Sequence, residues 1–252
     1  MANCKRYMLS LLLLAVIGAP VLVQAQGKRD CYVITADNRK INGQGLTADA
    51  QGNLVLDVDG KLKMPFRAGQ YKMGFVSKPK EVAALEQLFA EKKYDQVISQ
   101  ADGVFAKYKY LGWSNVIASM HADALLTGNK VAEAKRVLVA ANRLAGEQRE
   151  LLEASMVKIY IADKDYDKAD SVLKRQMVSA DEAKAAQAFC LFGEMAEAKG
   201  DKKQAVLEYL KVLMLFENNK KVDEVRSMAK SRATKLMREL NDPRVDKIAA
   251  YQ

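Results

Sequence analysis

Few side chains in this chain have the chemistry that catalysis needs. His121 is its only histidine, so a histidine metal cluster is excluded and a histidine-based dyad is hard to build. Glu194 with Glu197, or Asp163 with Asp165, are acidic pairs of the type that glycosidases use. Solvated helices and turns carry such pairs routinely. We therefore expect no enzyme activity, no metal and no cofactor, and we expect His121 to be packed in the core.

Sequence motifs give the same expectation. The chain contains no phosphate-binding glycine loop, no nucleophile elbow and no cysteine or histidine spacing typical of a zinc site. Trp113 follows Leu111-Gly112 between two predicted helical segments. A lone tryptophan can anchor a partner, but we expect Trp113 to pack at that junction.

The first 25 residues are typical of an export signal. Lys5 and Arg6 precede an apolar run over residues 8–23, and Ala25 ends a small-residue cleavage site. An uncleaved anchor is the alternative, because the apolar run is just long enough to enter a bilayer. We expect an exported protein in the periplasm.

Two cysteines remain after such a signal is removed. Cys31 and Cys190 are too few for a disulfide scaffold, and they lie in different predicted domains. We expect two packed thiols.

The basic charge is concentrated in two parts of the chain. Residues 27–80 carry ten Lys or Arg against five Asp or Glu, and residues 220–252 carry nine against five. Export argues against nucleic acid as a partner. A surface that keeps the protein soluble explains the excess most simply, and contact with anionic lipid or wall polymer is the alternative.

Residues 27–78 have the pattern of a small β module. Leu54, Leu56 and Val58 alternate with Val55, Asp57 and Asp59, and Asp59-Gly60 is a hairpin signal. The predicted strands cover residues 31–36, 41–50, 54–58, 62–66 and 71–77. Such short strands favour an SH3-like or Sm-like barrel. Since about 50 residues is near the lower limit for an independent core, we expect the module to pack on the first helices.

From residue 80 the apolar period becomes helical. Pairs of apolar segments recur around polar turns, and the small residue of each second segment falls at Val97, Ala134, Ala169 and Ala205. Their spacing is close to that of a helical-hairpin repeat. Residues 217–252 are predicted to be capping helices, which cover the exposed end of such an array.

Over residues 80–216 this pattern resembles the tetratricopeptide repeat (TPR) family. The fourth repeat resembles it most, through Phe192-Gly193, Gly200-Asp201, Ala205 and Tyr209. The whole layout is also similar to exported bacterial TPR proteins that begin with a small β module. The resemblance implies a mainly α fold, in which a TPR-like helical-hairpin solenoid of about four hairpins follows the small barrel.

In this family the first helix of each hairpin lines a concave groove for a peptide or protein. Carried onto this chain, the resemblance implies groove residues Val82, Glu86, Phe89, Val116, Ser119, Asp123, Ala154, Lys158, Ile161, Gln187, Cys190, Glu194 and Glu197. The partner-binding set that we expect is Glu86, Phe89, Val116, Asp123, Lys158, Ile161 and Glu194. Chaperone-binding members hold a peptide carboxylate with Lys and Asn where this chain has Val82 and Glu86, so we expect no such clamp.

The expected groove is mixed apolar and acidic, which suits an amphipathic or basic segment. The function that follows is an adaptor or scaffold that binds a protein partner in the cell envelope. The alternative is a protein that binds the wall or membrane surface through its basic β module and cap. The basic residues of that cap are Arg226, Lys230, Arg232, Lys235 and Arg238.

Overall fold

The computed structural model describes residues 30–217 and 219–250, which form six β-strands followed by ten α-helices. The predicted signal or anchor in residues 1–25 lies outside the described residues. The described chain is mainly helical, with two small antiparallel sheets near its start. None of its described helices is long and apolar enough to cross a membrane.

The strands form two three-stranded sheets, ordered β2-β1-β6 and β3-β4-β5. Their bounds are β1 (Cys31–Thr35), β2 (Lys40–Gly43), β3 (Gly45–Ala48), β4 (Leu54–Asp57), β5 (Lys63–Phe66) and β6 (Tyr71–Val76). The single strand predicted over residues 41–50 is wrong, because the chain leaves one sheet and enters the other at Gln44. A side chain at Gly43 would overlap Leu56 and the carbonyl oxygen of Asp57, so only glycine fits this crossing.

Each helix contacts the helix that follows it in sequence, from α1 to α10. They are α1 (Lys80–Ala90), α2 (Tyr94–Tyr108), α3 (Ser114–Thr127), α4 (Val131–Asn142), α5 (Arg149–Ala162), α6 (Tyr166–Met177), α7 (Glu182–Ala198), α8 (Lys202–Leu215), α9 (Asp223–Glu239) and α10 (Val245–Ala249). Helices α1, α3, α5, α7 and α9, the inner helices, each contact the next inner helix. Helices α2, α4, α6 and α8, the outer helices, each contact the inner helices before and after them in sequence.

One turn motif ends each of the first four inner helices. A left-handed residue stands at Lys92, Asn129, Lys164 and Gly200. In the first turn Lys92 N–H donates to Phe89 O and Lys93 N–H donates to Leu88 O, both at 2.9 Å, and the other three turns repeat this pair of bonds. Such a Schellman cap satisfies the last carbonyls of a helix and turns the chain sharply. The four hairpins therefore share one local geometry.

Small side chains let the two helices of each hairpin approach closely. Val97, Ala134, Ala169 and Ala205, which the sequence singled out, are completely buried. Helices α7 and α8 approach each other closely where Gly193 faces the ring of the buried Tyr209.

The β module packs on the first helices, as expected. Its buried residues belong to one apolar cluster with α1, α2 and α3. Trp113 lies at the contact: its Nε1 donates to Val76 O at 2.9 Å, and its ring stacks on Phe75, which stacks on Tyr32. Tyr32 OH in turn donates to Glu147, in the loop before α5, at 2.8 Å. The module is thus attached to the second hairpin as well as to the first.

Three residues whose chemistry drew attention in the sequence are packed. Cys31 and Cys190 are free, buried thiols, and burial raises the pKa of Cys190 to about 12. His121 is 5% exposed, and burial lowers the pKa of its imidazole. The expectation that these residues belong to the core is confirmed.

The close approach at Gly193 can be tested against a second helical glycine. A methyl group at Gly193 would overlap the Tyr209 ring, whereas one at Gly103, in α2, meets nothing within 4 Å. We expect Gly193→Ala to lower the free energy of unfolding by about 1–3 kcal/mol through overpacking. Gly103→Ala should raise it by about 0.5–1 kcal/mol, since alanine favours a helix. Urea unfolding of both variants measures this, and equal effects would contradict the described contact.

Candidate binding groove

Two adjoining hollows lie along the inner helices and together form what we call the groove. The larger has a volume of about 600 Å³ and extends from Phe89 past α3, α5 and α7 to Met228 and Arg232 of α9. The smaller, about 210 Å³, lies between α1, α3 and α5. Phe89, Asp123 and Lys158 line both hollows, so these three side chains stand where the hollows meet.

The structure brings the seven expected partner-binding residues together in this groove. Phe89, Asp123, Lys158, Ile161 and Glu194 line the larger hollow. Glu86 and Val116 line the smaller one with the three shared residues. That these residues bind a partner stays a prediction.

Three of the wider set of groove residues, Val82, Cys190 and Glu197, line neither hollow. Val82 and Cys190 are completely buried, so the expectation that they face the groove was wrong. Val82 packs into the cluster shared with the β module, and Cys190 packs into the cluster formed by α7, α8 and α9. Val116 lines the smaller hollow but is only 3% exposed, so it offers little accessible surface to a partner.

Four successive inner helices each place one charged residue in the larger hollow. Asp123 of α3, Lys158 of α5, Glu194 of α7 and Arg232 of α9 line it in order, and their signs alternate. We call these four residues the charge ladder. Lys158 Nζ lies 2.6 Å from Asp123 Oδ2, and an Arg232 Nη atom lies 3.5 Å from Glu194 Oε1. Opposite charges therefore join α3 to α5 and α7 to α9 across the groove floor.

The ladder changes the acid–base properties of its members. Burial acts to lower the pKa of Lys158, but the negative charges of Asp123 and Glu194 outweigh it and the pKa is raised. Burial raises the pKa of Glu194, although Arg232 and Lys158 act in the opposite direction. The raised pKa of Glu194 means that its surroundings disfavour the ionised form of this carboxyl group.

A second carboxylate anchors the α9 end of the ladder. Arg232 also lies 3.0 Å from Glu197 Oε1, and the buried hydroxyl of Tyr209 donates to the same oxygen. These contacts join α7, α8 and α9. Helix α9 therefore closes one end of the groove as well as capping the array.

Arg232 and Met228 are groove residues that sequence reasoning missed. The sequence places residues 217–252 in capping helices and Arg232 among the basic residues of that cap. The spacing contained a signal: Asp123, Lys158, Glu194 and Arg232 lie 35, 36 and 38 residues apart in sequence. This is nearly the period of the buried small residues, so Arg232 could have been placed on the inner face.

The groove is not acidic, in contrast to the expectation from the sequence. Lys158 is paired with Asp123, and Arg232 is paired with Glu194 and Glu197. Glu86 lies 2.7 Å from Lys78 Nζ. Its expected carboxylates are therefore already balanced by cations of the same chain.

One acceptor in the groove has no hydrogen-bond partner. Asp123 uses Oδ2 for Lys158, while its Oδ1 is buried and receives no hydrogen bond from the described residues. Asn115 Oδ1 is also buried and without a hydrogen-bond partner among the described residues, but Asn115 lines neither hollow. Buried acceptors are normally paired, and Asp123 Oδ1 is an exception among the described residues.

The groove combines apolar walls with paired charges. Its walls are apolar at Phe89, Leu126 and Ile161, and the four residues of the charge ladder form two ion pairs. No three His, Cys, Asp or Glu side chains in the described ranges are grouped to hold a metal. His121 lines a separate hollow of about 400 Å³ between α2, α3 and α4, with Nδ1 3.5 Å from Asp102 Oδ1.

Glu194 and Glu153 should give opposite dependences of stability on pH. Because the pKa of Glu194 is raised, its ionised form costs stability as pH rises above about 4.5. Burial also acts to raise the pKa of Glu153, but hydrogen bonds from Gln176 and Lys184 outweigh it and lower that pKa. Its ionised form therefore stabilises the fold above the same pH, and this contribution is lost as pH falls.

We therefore expect Glu194→Gln to gain stability relative to wild type, and Glu153→Gln to lose it, as pH rises from 4 to about 7.5. The midpoint of urea unfolding at both pH values measures this. Slopes of the same sign for the two variants would contradict the environments described.

Comparisons of the chain with protein-family models, with curated proteins and with solved structures found no match.

Proposed function

We propose that this chain is an exported, non-enzymatic adaptor whose groove holds a segment of a protein partner in the cell envelope. The observation that carries the proposal is the continuous groove along the inner helices. It combines apolar walls at Phe89, Leu126 and Ile161 with a floor of paired charges. Sites that bind ligands are typically concave and largely apolar, with a few well-placed polar groups.

The finer architecture belongs to the same proposal. Repeated hairpins with buried small residues, Schellman turns and contacts between successive inner helices support a TPR-like solenoid. Two short sheets, between which the chain passes at Gln44, support an SH3-like or Sm-like barrel. In this arrangement the β module extends the inner surface at the α1 end, and α9 closes the other end.

The dimensions and charge of the groove define the segment that it would hold. A hollow of about 600 Å³ accommodates a few side chains rather than a folded domain. Since the groove carboxylates are paired with Lys158, Arg232 and Lys78, a strongly basic segment gains little there. An amphipathic segment that buries apolar side chains against Phe89 and Ile161 fits better.

The alternative, binding to a wall or membrane surface, loses support at the cap. Arg226 is buried and donates to Leu213 O at 2.8 Å, and Arg232 lies in the groove. Two of the five basic cap residues are thus turned inward. Binding through the remaining basic residues would appear as salt-sensitive sedimentation with anionic vesicles or wall fragments.

Photocrosslinking in the producing cell tests the groove directly. A benzophenone amino acid would replace Phe89 or Leu126, on two different inner helices, and Val139 as a control on outer helix α4. Val139 is 42% exposed, so it samples solvent without lining the groove. We expect both groove positions to capture the same envelope protein, and the control to capture none of it.

Two results would count against the proposal. Equal capture at Val139 would show contact that does not depend on the groove. Adducts to lipid or wall polymer alone, without a protein partner, would favour the surface alternative.

A further inference from the structure

The hollow of about 400 Å³ between α2, α3 and α4, which we call the outer hollow, contains polar groups that the groove does not use. His121 lines it from inner helix α3, and its walls are apolar at Ile98, Phe105 and Leu125. It shares no lining residue with either hollow of the groove. Its volume is within the range of pockets that bind small molecules.

Histidine is an unexpected residue at this position of the array. The spacings of 35 and 36 residues that relate the first three members of the charge ladder also relate His121 to Met156 and Phe192. Both of those side chains pack against apolar clusters. The array thus has a polar residue at one of three equivalent apolar positions, and such departures from the local pattern are expected at functional sites.

The imidazole of His121 is almost enclosed, but a ligand in the outer hollow can still reach it. Its side chain is 6% exposed. Among the described residues, the fully enclosed polar side-chain atoms without a hydrogen-bond partner are Asn115 Oδ1 and Asp123 Oδ1. His121 Nε2 is not one of these atoms, although it too has no partner in the described part of the chain. It therefore remains accessible from the hollow that the ring lines.

Two carboxylates act on this ring. Asp102 Oδ1, on α2, lies 3.5 Å from His121 Nδ1, and Glu133, on α4, lines the same hollow. Neither forms an ion pair with a Lys or Arg of the described chain. Burial lowers the pKa of His121, while the charges of Asp102 and Glu133 act to raise it. Arg136 also lines the hollow but is not among the charges that act on the ring, so the field at the imidazole is negative.

The lowered pKa keeps the ring of His121 neutral near pH 7. A neutral imidazole has one donor and one acceptor nitrogen. Because Nδ1 faces the carboxylate of Asp102, the proton is best placed on Nδ1, which leaves Nε2 as an acceptor. The outer hollow thus combines a free acceptor, two carboxylates and apolar walls.

We propose that the outer hollow is a binding site for a primary ammonium group carried on an apolar stem. The ammonium donates to His121 Nε2 and is balanced by Asp102 and Glu133, while the stem packs against Phe105 and Leu125. Small free amines and the lysine side chain of a partner share this chemistry. The site is separate from the groove, so the inference does not rest on the proposed function.

The single histidine makes the site directly observable, because the chain gives one imidazole C–H resonance in a nuclear magnetic resonance spectrum. Phenethylamine is the probe, and 2-phenylethanol is a neutral control of the same shape. At pH 7.5 we expect the amine to shift this resonance in a saturable way and the alcohol to bind about fivefold or more weakly. The amine should also lower the pKa at which the resonance titrates, since ammonium and imidazolium repel each other.

A matched pair of variants on α2 tests the role of the carboxylate. Asp102 is 87% exposed, so Asp102→Asn should fold normally, and Asp95 is an exposed acid of the same helix that does not line the hollow. Asp102→Asn should weaken the binding of phenethylamine about two- to fivefold and leave the binding of the alcohol unchanged. Asp95→Asn should bind both as wild type does.

Equal affinity for the amine and the alcohol, or equal effects of the two variants, would overturn the inference. N-acetyl-lysine methylamide, a model of a lysine side chain in a protein, distinguishes the two sources. If it binds more tightly than phenethylamine, the site takes a lysine of a partner, and if it binds more weakly, the site takes a free amine. The absence of a saturable shift with either amine would also overturn the inference.

Discussion

The contact between Lys158 and Asp123 is the interaction on which the groove most depends. It joins α3 to α5 at the floor, balances the charge of a carboxylate with little access to water, and stands between the two hollows. A carboxylate in that position without a cation would be costly to keep ionised. Glu194 and Arg232 repeat the arrangement two helices further on. Because the charged residues of the ladder are paired, the groove can contain polar groups between packed helices.

The ladder is regular because the hairpins are regular. The buried small residues of the outer helices and the left-handed residues of the turns recur at the same spacing. One position on each inner helix therefore faces the groove in the same way. Opposite charges at this position pair α3 with α5 and α7 with α9. Packing and electrostatics thus favour the same stacking order.

The sequence predicted the fold better than it predicted the charge of the groove. The helical periodicity of the apolar residues, with small residues such as Ala134 and Ala205, was sufficient to place the helices, because burial follows directly from the local pattern of apolar residues. The pairing of Asp123 with Lys158 joins residues 35 apart in sequence, and no local pattern shows which opposite charges will meet. Arg232 was missed for a related reason, because α9 caps the array and lines the groove at once. The strand break at Gln44 depended on a close approach of Gly43 to Leu56, which pattern alone does not reveal.

The most direct test of this account is a double-mutant cycle on the Asp123–Lys158 pair, measured as the free energy of unfolding in urea. Both side chains are partly buried, at 18% and 32% exposed, so each of Asp123→Asn and Lys158→Met should cost about 1–3 kcal/mol by leaving its partner without a charge. The double variant should cost clearly less than the sum, with a coupling energy of about 1–2 kcal/mol. Additive effects, with no coupling, would contradict the claim that the charge ladder joins the inner helices and neutralises the groove.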